Sequence, residues 1–278
     1  MDRPDLLQMR YFDTYWYAQV VHGVICGHLD HERVHEEFFG DLGFRRFLQP
    51  YPKWSALHDF IEFAFWQVAD EAIDDVELDA VVCLHRPFWA EAVLREHGFE
   101  HPSLRAWASA QKIRIDDLSE SDLRDYAAFL AEEGPLQSLA EQIVEEVFFL
   151  LFLNRDFLRS YHLRIAGIIS SLDMALFAPA EAQAFDAKGR LRRKRIPKWA
   201  RRAVFYRDRG RCGLCHRDIS GLVSLSSSDH FDHIVPLAAG GINDVTNLQL
   251  LCEACNLHKG GGDATVSTYY ERWYPSSG

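Results

Sequence analysis

Over most of the first 180 positions apolar residues recur at the spacing of helices. From Leu6 to about Ile25 the stretch YFDTYWYAQVV carries apolar residues at mixed intervals, which predicts a helix with a broad buried face. Further helices are predicted at about 30–40, 55–72, 87–97, 103–112 and 119–132. Breaks fall at Pro50-Tyr51-Pro52, Gly98 and Gly134-Pro135, and Ser119 followed by Asp122 reads as a helix cap with an early acid. From Leu136 to about Phe177 the pattern continues without a proline, as one helix of about ten turns or as two broken near Asn154. So apolar a stretch is expected to be the central helix of a bundle, with a dimer seam as the alternative.

After about residue 200 the period shortens. In HFDHIVP, Phe231, Ile234 and Val235 supply apolar and β-branched weight and Pro236 ends the run, so a short strand is predicted. Ala238-Ala239-Gly240-Gly241 reads as a flexible turn and Leu248 to Leu251 as a second strand. Glu253 to about His258 then begins a short helix closed by Gly260-Gly261-Gly262. The fold class expected is mostly α, an N-terminal helical-bundle domain followed by a small strand, loop, strand, helix domain.

Composition sharpens that division. The chain has 278 residues, 48% of them apolar and 13% aromatic, enough for two packed cores. Its net charge of −11 conceals an asymmetry. Residues 1–187 carry 15 Lys and Arg against 33 Asp and Glu (−18), whereas residues 188–278 carry 15 against 8 (+7). Three segments are therefore expected: an acidic helical domain at 1–180, a basic arm at 181–200 and the strand-containing domain at 201–278. The arm (LRRKRIPKWARR) suits contact with a polyanion, because each cation that neutralises a phosphate releases condensed counterions.

Four of the six cysteines lie in two C-x-x-C pairs, while Cys26 and Cys83 stand apart, a usage that suggests metal ligation in a reducing cytosol. The N-terminus MDRPDLLQMR has no apolar signal core, and the apolar run Val147 to Leu153 is far shorter than the roughly 18 residues of a membrane span. A soluble, cytoplasmic protein is expected, with no membrane partner.

Two clusters carry candidate chemistry. His31-Glu32-Arg33-Val34-His35 satisfies H-E-x-x-H, the helical zinc signature of metalloproteases, and His28 would share its face. Arg33, Glu36 and Glu37 fit poorly with the buried helix such a site needs, so chance in a His- and Glu-rich polar helix is the preferred reading. The second cluster is denser. Cys212, Cys215, Cys252 and Cys255 are spaced as two knuckles converging on a tetrahedral zinc ion with no open position, which makes that zinc structural. Between and beside them stand Asp232, His233, Asn247 and Asn256. Taken singly these are a strand-end cap, a packed histidine and turn amides. Together, a carboxylate and a carbonyl oxygen that hold a hard divalent ion, beside a neutral imidazole that deprotonates water, suit phosphodiester hydrolysis.

The stretch CGLC...FDHIVPLAAGGINDVTNLQLLCEACNLHKG resembles the HNH endonucleases of the ββα-metal fold over about residues 196–263, a quarter of the chain. The resemblance implies that His233 is the general base, that Asp232 and Asn256 hold the catalytic Mg²⁺ or Mn²⁺, and that Asn247 pins the loop. It also implies that the four cysteines bind structural Zn²⁺. Family members often carry His where this chain has Asn256, and Lys259 occupies the family's N-x-x-K position, where phosphate contact is expected. Arg201, Arg202, Arg207, Arg209 and Arg211 are candidate backbone contacts. His230 and His258 are open between ligand, phosphate contact and plain surface.

The expected function is thus a metal-dependent HNH endonuclease that nicks DNA as a monomer, with RNA not excluded. A place in bacterial anti-phage defence is one setting, in which the acidic half serves as a sensor, a docking body for a protein partner or a self-association surface. The alternatives are a zinc-knuckle protein that binds nucleic acid without cutting, and a metalloprotease at His31, Glu32 and His35.

Overall fold

The computed structural model describes residues 7–11, 13–27, 37–39, 43–82, 86–132, 134–222 and 230–272. Among the described residues the chain is mostly helical, with one two-stranded sheet. Its helices in order are α1 (Thr14–Cys26), α2 (Ala56–Asp74), α3 (Leu78–Val82), α4 (Trp89–Glu96), α5 (Leu104–Ala110), α6 (Glu120–Ala131), α7 (Pro135–Phe152), α8 (Arg155–Ser171), α9 (Pro179–Ala182) and α10 (Lys198–Arg207). Strands β1 (Phe231–His233) and β2 (Leu248–Leu250) follow, and α11 (Glu253–Lys259) comes last. No described helix is long and apolar enough to cross a membrane. Two compact units are formed, one from Met1–Val21 and Phe60–Phe149, the other from His22–Asp59 and Leu150–Gly278.

In the first unit local chemistry sets the helix ends. The Ser119 hydroxyl accepts from the Asp122 backbone N–H while the Asp122 carboxylate accepts from the Ser119 N–H, a complete capping box at the start of α6. Ser103 caps α5 in the simpler way, accepting from Ala106. The first helix was expected from Leu6 but begins at Thr14. The backbone N–H groups of Arg10 and Tyr11 are taken by the Glu146 carboxylate at 2.7 and 3.0 Å, and Tyr11 has φ +57°, so the chain there cannot continue a helix. The core is drawn from Phe65, Phe88, Leu94, Leu123, Tyr126, Leu130, Leu139, Ile143 and Val147, all buried. Inside it the Glu91 carboxylate accepts from the Leu104 N–H at 2.7 Å, a bond that offsets part of the cost of its burial, and the Tyr126 hydroxyl donates to the Pro102 carbonyl at 2.5 Å.

In the second unit the long apolar stretch resolves into two helices. Asn154 is extended and its side chain accepts from the Phe157 N–H at 3.1 Å, so it caps α8 and separates it from α7. The buried residues of α8 (Arg155, Phe157, Leu158, Tyr161, His162, Ile165, Ala166, Ile169) recur at helical spacing, so one stripe of the helix faces inward. Strands β1 and β2 pair antiparallel in the register Phe231 with Leu250, Asp232 with Gln249 and His233 with Leu248. Around them a core gathers Tyr51, Ile196, Ala200, Val204, Ile219, Val245 and Leu251. The end of α10 is stitched to β2, where Asp208 accepts from the Leu250 N–H at 2.9 Å and Arg207 donates to the Leu248 carbonyl at 2.7 Å.

Candidate active site

The knuckles begin with a reversal of the chain. Cys212 N–H donates to the Arg217 carbonyl and His216 N–H to the Cys212 carbonyl, with His216 at φ +61°. Cys252 is the N-cap of α11, which puts Cys255 on the first turn of that helix. The four sulfurs lie within 4.8 Å of one another, and Cys215 Sγ is 3.7 Å from Cys252 Sγ. A tetrahedral ion with Zn–S bonds of about 2.3 Å requires sulfurs about 3.8 Å apart, so the thiols fit structural zinc. Burial opposes the Cys212 thiolate, but backbone N–H groups of Cys215, Cys252 and Leu214 outweigh it and bring its pKa down to about 7.

Asn247 governs the loop between the strands. Its amide oxygen accepts from the Val235 N–H at 2.9 Å, and its nitrogen donates to the carbonyls of Val235 and Ile242, both at 3.0 Å. The Ala238–Gly241 turn expected to be flexible is in fact tightly packed at its glycines. A Cβ on Gly241 would stand 2.0 Å from the Val235 oxygen, and one on Gly240, which has φ +87°, would stand 2.7 Å from the Ala166 oxygen of α8. The two glycines thus serve close approach rather than freedom of motion.

Asp232 and His233 are neighbours on β1, and neighbouring strand residues project to opposite faces. On one side Lys259 Nζ, at the end of α11, donates to Asp232 Oδ2 at 2.8 Å and to the His233 carbonyl at 2.7 Å. Asn256 lies one helical turn before Lys259 and so shares that side of α11. On the other side the His233 ring meets Tyr51, whose hydroxyl is 3.4 Å from Nε2. The imidazole is only 1% exposed. Its Nδ1 is closed off from solvent without a hydrogen-bond partner, although the Asn243 amide is near enough to favour a charged ring. Burial, assisted by the positive charges of Arg193 and Lys259, lowers the His233 pKa to about 3 and keeps the ring neutral. Asp232 is thus held to the helix that carries Asn256, and the imidazole is buried against Tyr51.

Several cations expected to contact phosphate are turned inward. Lys259 has a buried side chain committed to Asp232. Arg207 pairs with Asp208 with both side chains 1% exposed, and Arg201 is buried as well. Arg202 and Arg209 are exposed. Arg209 and Arg211 line a cavity of about 550 Å³ with Tyr206, Tyr269 and Tyr270 beside the knuckle. His230 is held by the Leu251 carbonyl at 3.0 Å, and His258 is exposed. The H-E-x-x-H residues His31, Glu32 and His35, with His28, lie outside the described residues, as does Cys83. Among the described residues the four thiols are the group of three or more His, Cys, Asp or Glu side chains that converges as a metal site would.

Residues outside the motif complete the site. The Tyr51 N–H donates to the Asn243 carbonyl at 2.8 Å, and the Asn243 side chain accepts from Lys194 N–H and donates to the Arg192 carbonyl. Asp244 accepts from the Ala56 N–H and from the backbone and hydroxyl of Thr246. Because the Thr246 hydroxyl gives its proton to Asp244, His162 of α8 must donate Nε2–H to Thr246, at 2.8 Å. Tyr51 had only its flanking prolines to mark it, and His162 only its place on a buried face.

Residues 212–262 match the family model described as HNH endonuclease. No curated protein and no solved structure matches the chain.

Proposed function

We propose that this protein is a divalent-ion-dependent endonuclease that hydrolyses phosphodiester bonds in DNA, with His233 as general base and Asp232 and Asn256 as oxygen ligands of the ion. The observation that carries the reading is the joining of the Asp-His pair on β1 to α11 through Lys259, inside a frame closed by four thiols. A carboxylate and an amide oxygen form a hard donor set suited to Mg²⁺ or Mn²⁺. When bound, such an ion supplies Lewis acidity to a phosphate oxygen and neutralises charge on the leaving oxygen. His233, held neutral, has a lone pair with which to take a proton from water. Asn247 fixes the chain immediately beyond the histidine, which limits how far the ring can wander. The arrangement is a resting one, because the Lys259 ammonium neutralises Asp232 and the imidazole is covered. Lys259 must release the carboxylate, and the cover must shift from the ring, before a phosphate can reach it. Arg202 and Arg209 are exposed and would position the backbone of a duplex. One such site cuts one strand, so a monomer nicks.

The test is incubation of the zinc-loaded chain with supercoiled plasmid in Mg²⁺ or Mn²⁺ and in EDTA. Relaxed circles are expected to accumulate with either ion and not in EDTA. The buried imidazole and the occupied carboxylate favour one second reading, a zinc-knuckle protein that binds nucleic acid without cutting it. Retarded migration of the plasmid, with no relaxation under either ion, would establish that reading in place of the first.

A further inference from the structure

We propose that the cavity beside the knuckle binds a phosphorylated nucleoside, with Arg155 as the phosphate contact and Tyr206 and Tyr269 as stacking surfaces for the base. The cavity holds about 550 Å³, within the roughly 300–1,000 Å³ of small-molecule sites. Its wall is fixed to the edge of β2 that does not pair with β1. There Arg207 donates to the Leu248 carbonyl, Asp208 accepts from the Leu250 N–H, and the Leu250 carbonyl accepts from Gly213. A ligand in this cavity is therefore separated by β2 from Asp232 and His233, and its binding can be read without any cleavage.

The strongest sign of a ligand is the buried charge of Arg155. This residue opens α8, is only 6% exposed and lines the cavity. A guanidinium keeps its proton at any working pH, so burial does not neutralise it. It lies over the Tyr270 ring, 4.5 Å from the centroid, and donates from Nη2 to the Tyr269 carbonyl at 2.7 Å. Neither partner carries a negative charge. On the same wall Arg207 is matched by Asp208 at 2.9 Å and Arg211 by Glu271 at 2.8 Å, whereas among the described residues no carboxylate pairs with Arg155. Its Nε is buried without a hydrogen-bond partner. A buried charge with no counter-ion is costly, and a bound anion supplies one.

The rings choose among anions. Tyr206 and Tyr269 are 66% and 78% exposed and line the same cavity. Aromatic rings held in solvent beside a guanidinium suit a nucleotide, because they stack on its base while the cation meets its phosphate. An inorganic anion would make no use of the rings, and an apolar ligand would leave Arg155 uncompensated. The segment that carries Tyr269 is held in place beforehand, which lowers the cost of binding. The His216 ring nitrogen is 2.9 Å from the Ser267 hydroxyl, and Gln249 donates to the Thr265 carbonyl at 3.2 Å.

The test is titration calorimetry on the full zinc-loaded chain without added Mg²⁺ or Mn²⁺. The probes are deoxyadenosine 5′-monophosphate, deoxyadenosine, inorganic phosphate and a short single strand of deoxyadenylate. The monophosphate is expected to bind at least about tenfold tighter than deoxyadenosine or phosphate. Tyr206→Ala with Tyr269→Ala should weaken it about tenfold and leave phosphate unchanged, since the Tyr269 carbonyl used by Arg155 is kept. Arg155→Gln should weaken monophosphate and phosphate alike, by about tenfold or more. If the strand binds tighter than the monophosphate and needs the rings, the site takes an unpaired residue of a strand. If it binds no tighter, or binds without need of the rings, the site takes a free nucleotide. Phosphate bound as tightly as the monophosphate would reduce the cavity to an anion site and overturn the proposal. So would a monophosphate and a strand that both bind as well without the rings, or that both fail to bind. If Arg155→Gln does not fold, the ring variants, whose side chains lie mostly in solvent, still decide.

Discussion

The thiol cluster and the His233 pocket share one compact unit but draw on very different lengths of chain. Every sulfur comes from between Cys212 and Cys255, and two of the four arrive as neighbours on one tight turn. The imidazole is contacted by Tyr51, 182 positions away, and the loop behind it by His162, 84 positions from Thr246. A centre built locally can be recognised from spacing, because the spacing is itself the geometry. A centre completed at long range shows only its local half, and the other half sets whether the histidine is exposed and which way it faces.

Zinc removal should produce the largest effect, because the local centre is expected to hold its own frame. Binding of structural zinc is worth on the order of 10 kcal/mol, comparable to the whole stability of a domain. Chelation, or Cys212→Ser, should therefore abolish the cooperative unfolding of the second unit in near-ultraviolet circular dichroism. Zinc should restore it to the chelated wild type and not to the variant. If the chelated protein melted as before, the packing of α8 and of residues 43–59 would be the true support, and the contrast between the two centres would be lost.

A smaller effect is expected at Lys259→Met. Removing the cation from a buried pair leaves Asp232 uncompensated, at a cost of about 3 kcal/mol. For a unit of this size the melting temperature should fall by roughly 5–10 °C. If Asp232 is an ion ligand, Mn²⁺ should recover more stability in the variant than in the wild type. An equal response of both proteins to Mn²⁺ would mean that the carboxylate is merely structural.

The sequence pattern was most informative where one residue sets a local backbone choice. Ser119 and Asp122 signalled a cap and form one, and Asn154 marked the place where a long apolar stretch divides. The strand, loop, strand, helix order was legible because β1, β2 and α11 are each defined by a few consecutive residues. Basic residues were legible as charges and not as surfaces. Arg207 looks like Arg209 in sequence, yet one is buried against Asp208 and Leu248 and the other is exposed, since Asp208 and the β2 backbone compete for the first. Lys259 is a like case: at the end of α11 it is drawn to the Asp232 carboxylate and the His233 carbonyl rather than to solvent. Gly240 and Gly241 looked mobile because their close neighbours, Ala166 and Val235, are supplied by the fold.

The smallest effect concerns pH. Burial lowers the His162 pKa from 6.5 to about 3. Between those values the unfolded chain binds a proton that the folded chain does not, so stability falls as pH falls through that window. The loss is up to about 1.4 kcal/mol per pH unit for one such histidine. His162→Gln retains a donor for Thr246 and does not titrate. Its unfolding free energy should therefore drop less steeply than that of the wild type between pH 6.5 and 5. Parallel slopes would show that His162 is not held neutral by its surroundings.

The most direct measurement is single-turnover cleavage of a supercoiled plasmid by wild type and His233→Ala, matched for zinc content, in Mn²⁺. A general base contributes about 10²–10⁴-fold, so the variant should be slower by at least about a hundredfold while binding the plasmid equally well. Equal rates in the two proteins would contradict a catalytic role for His233.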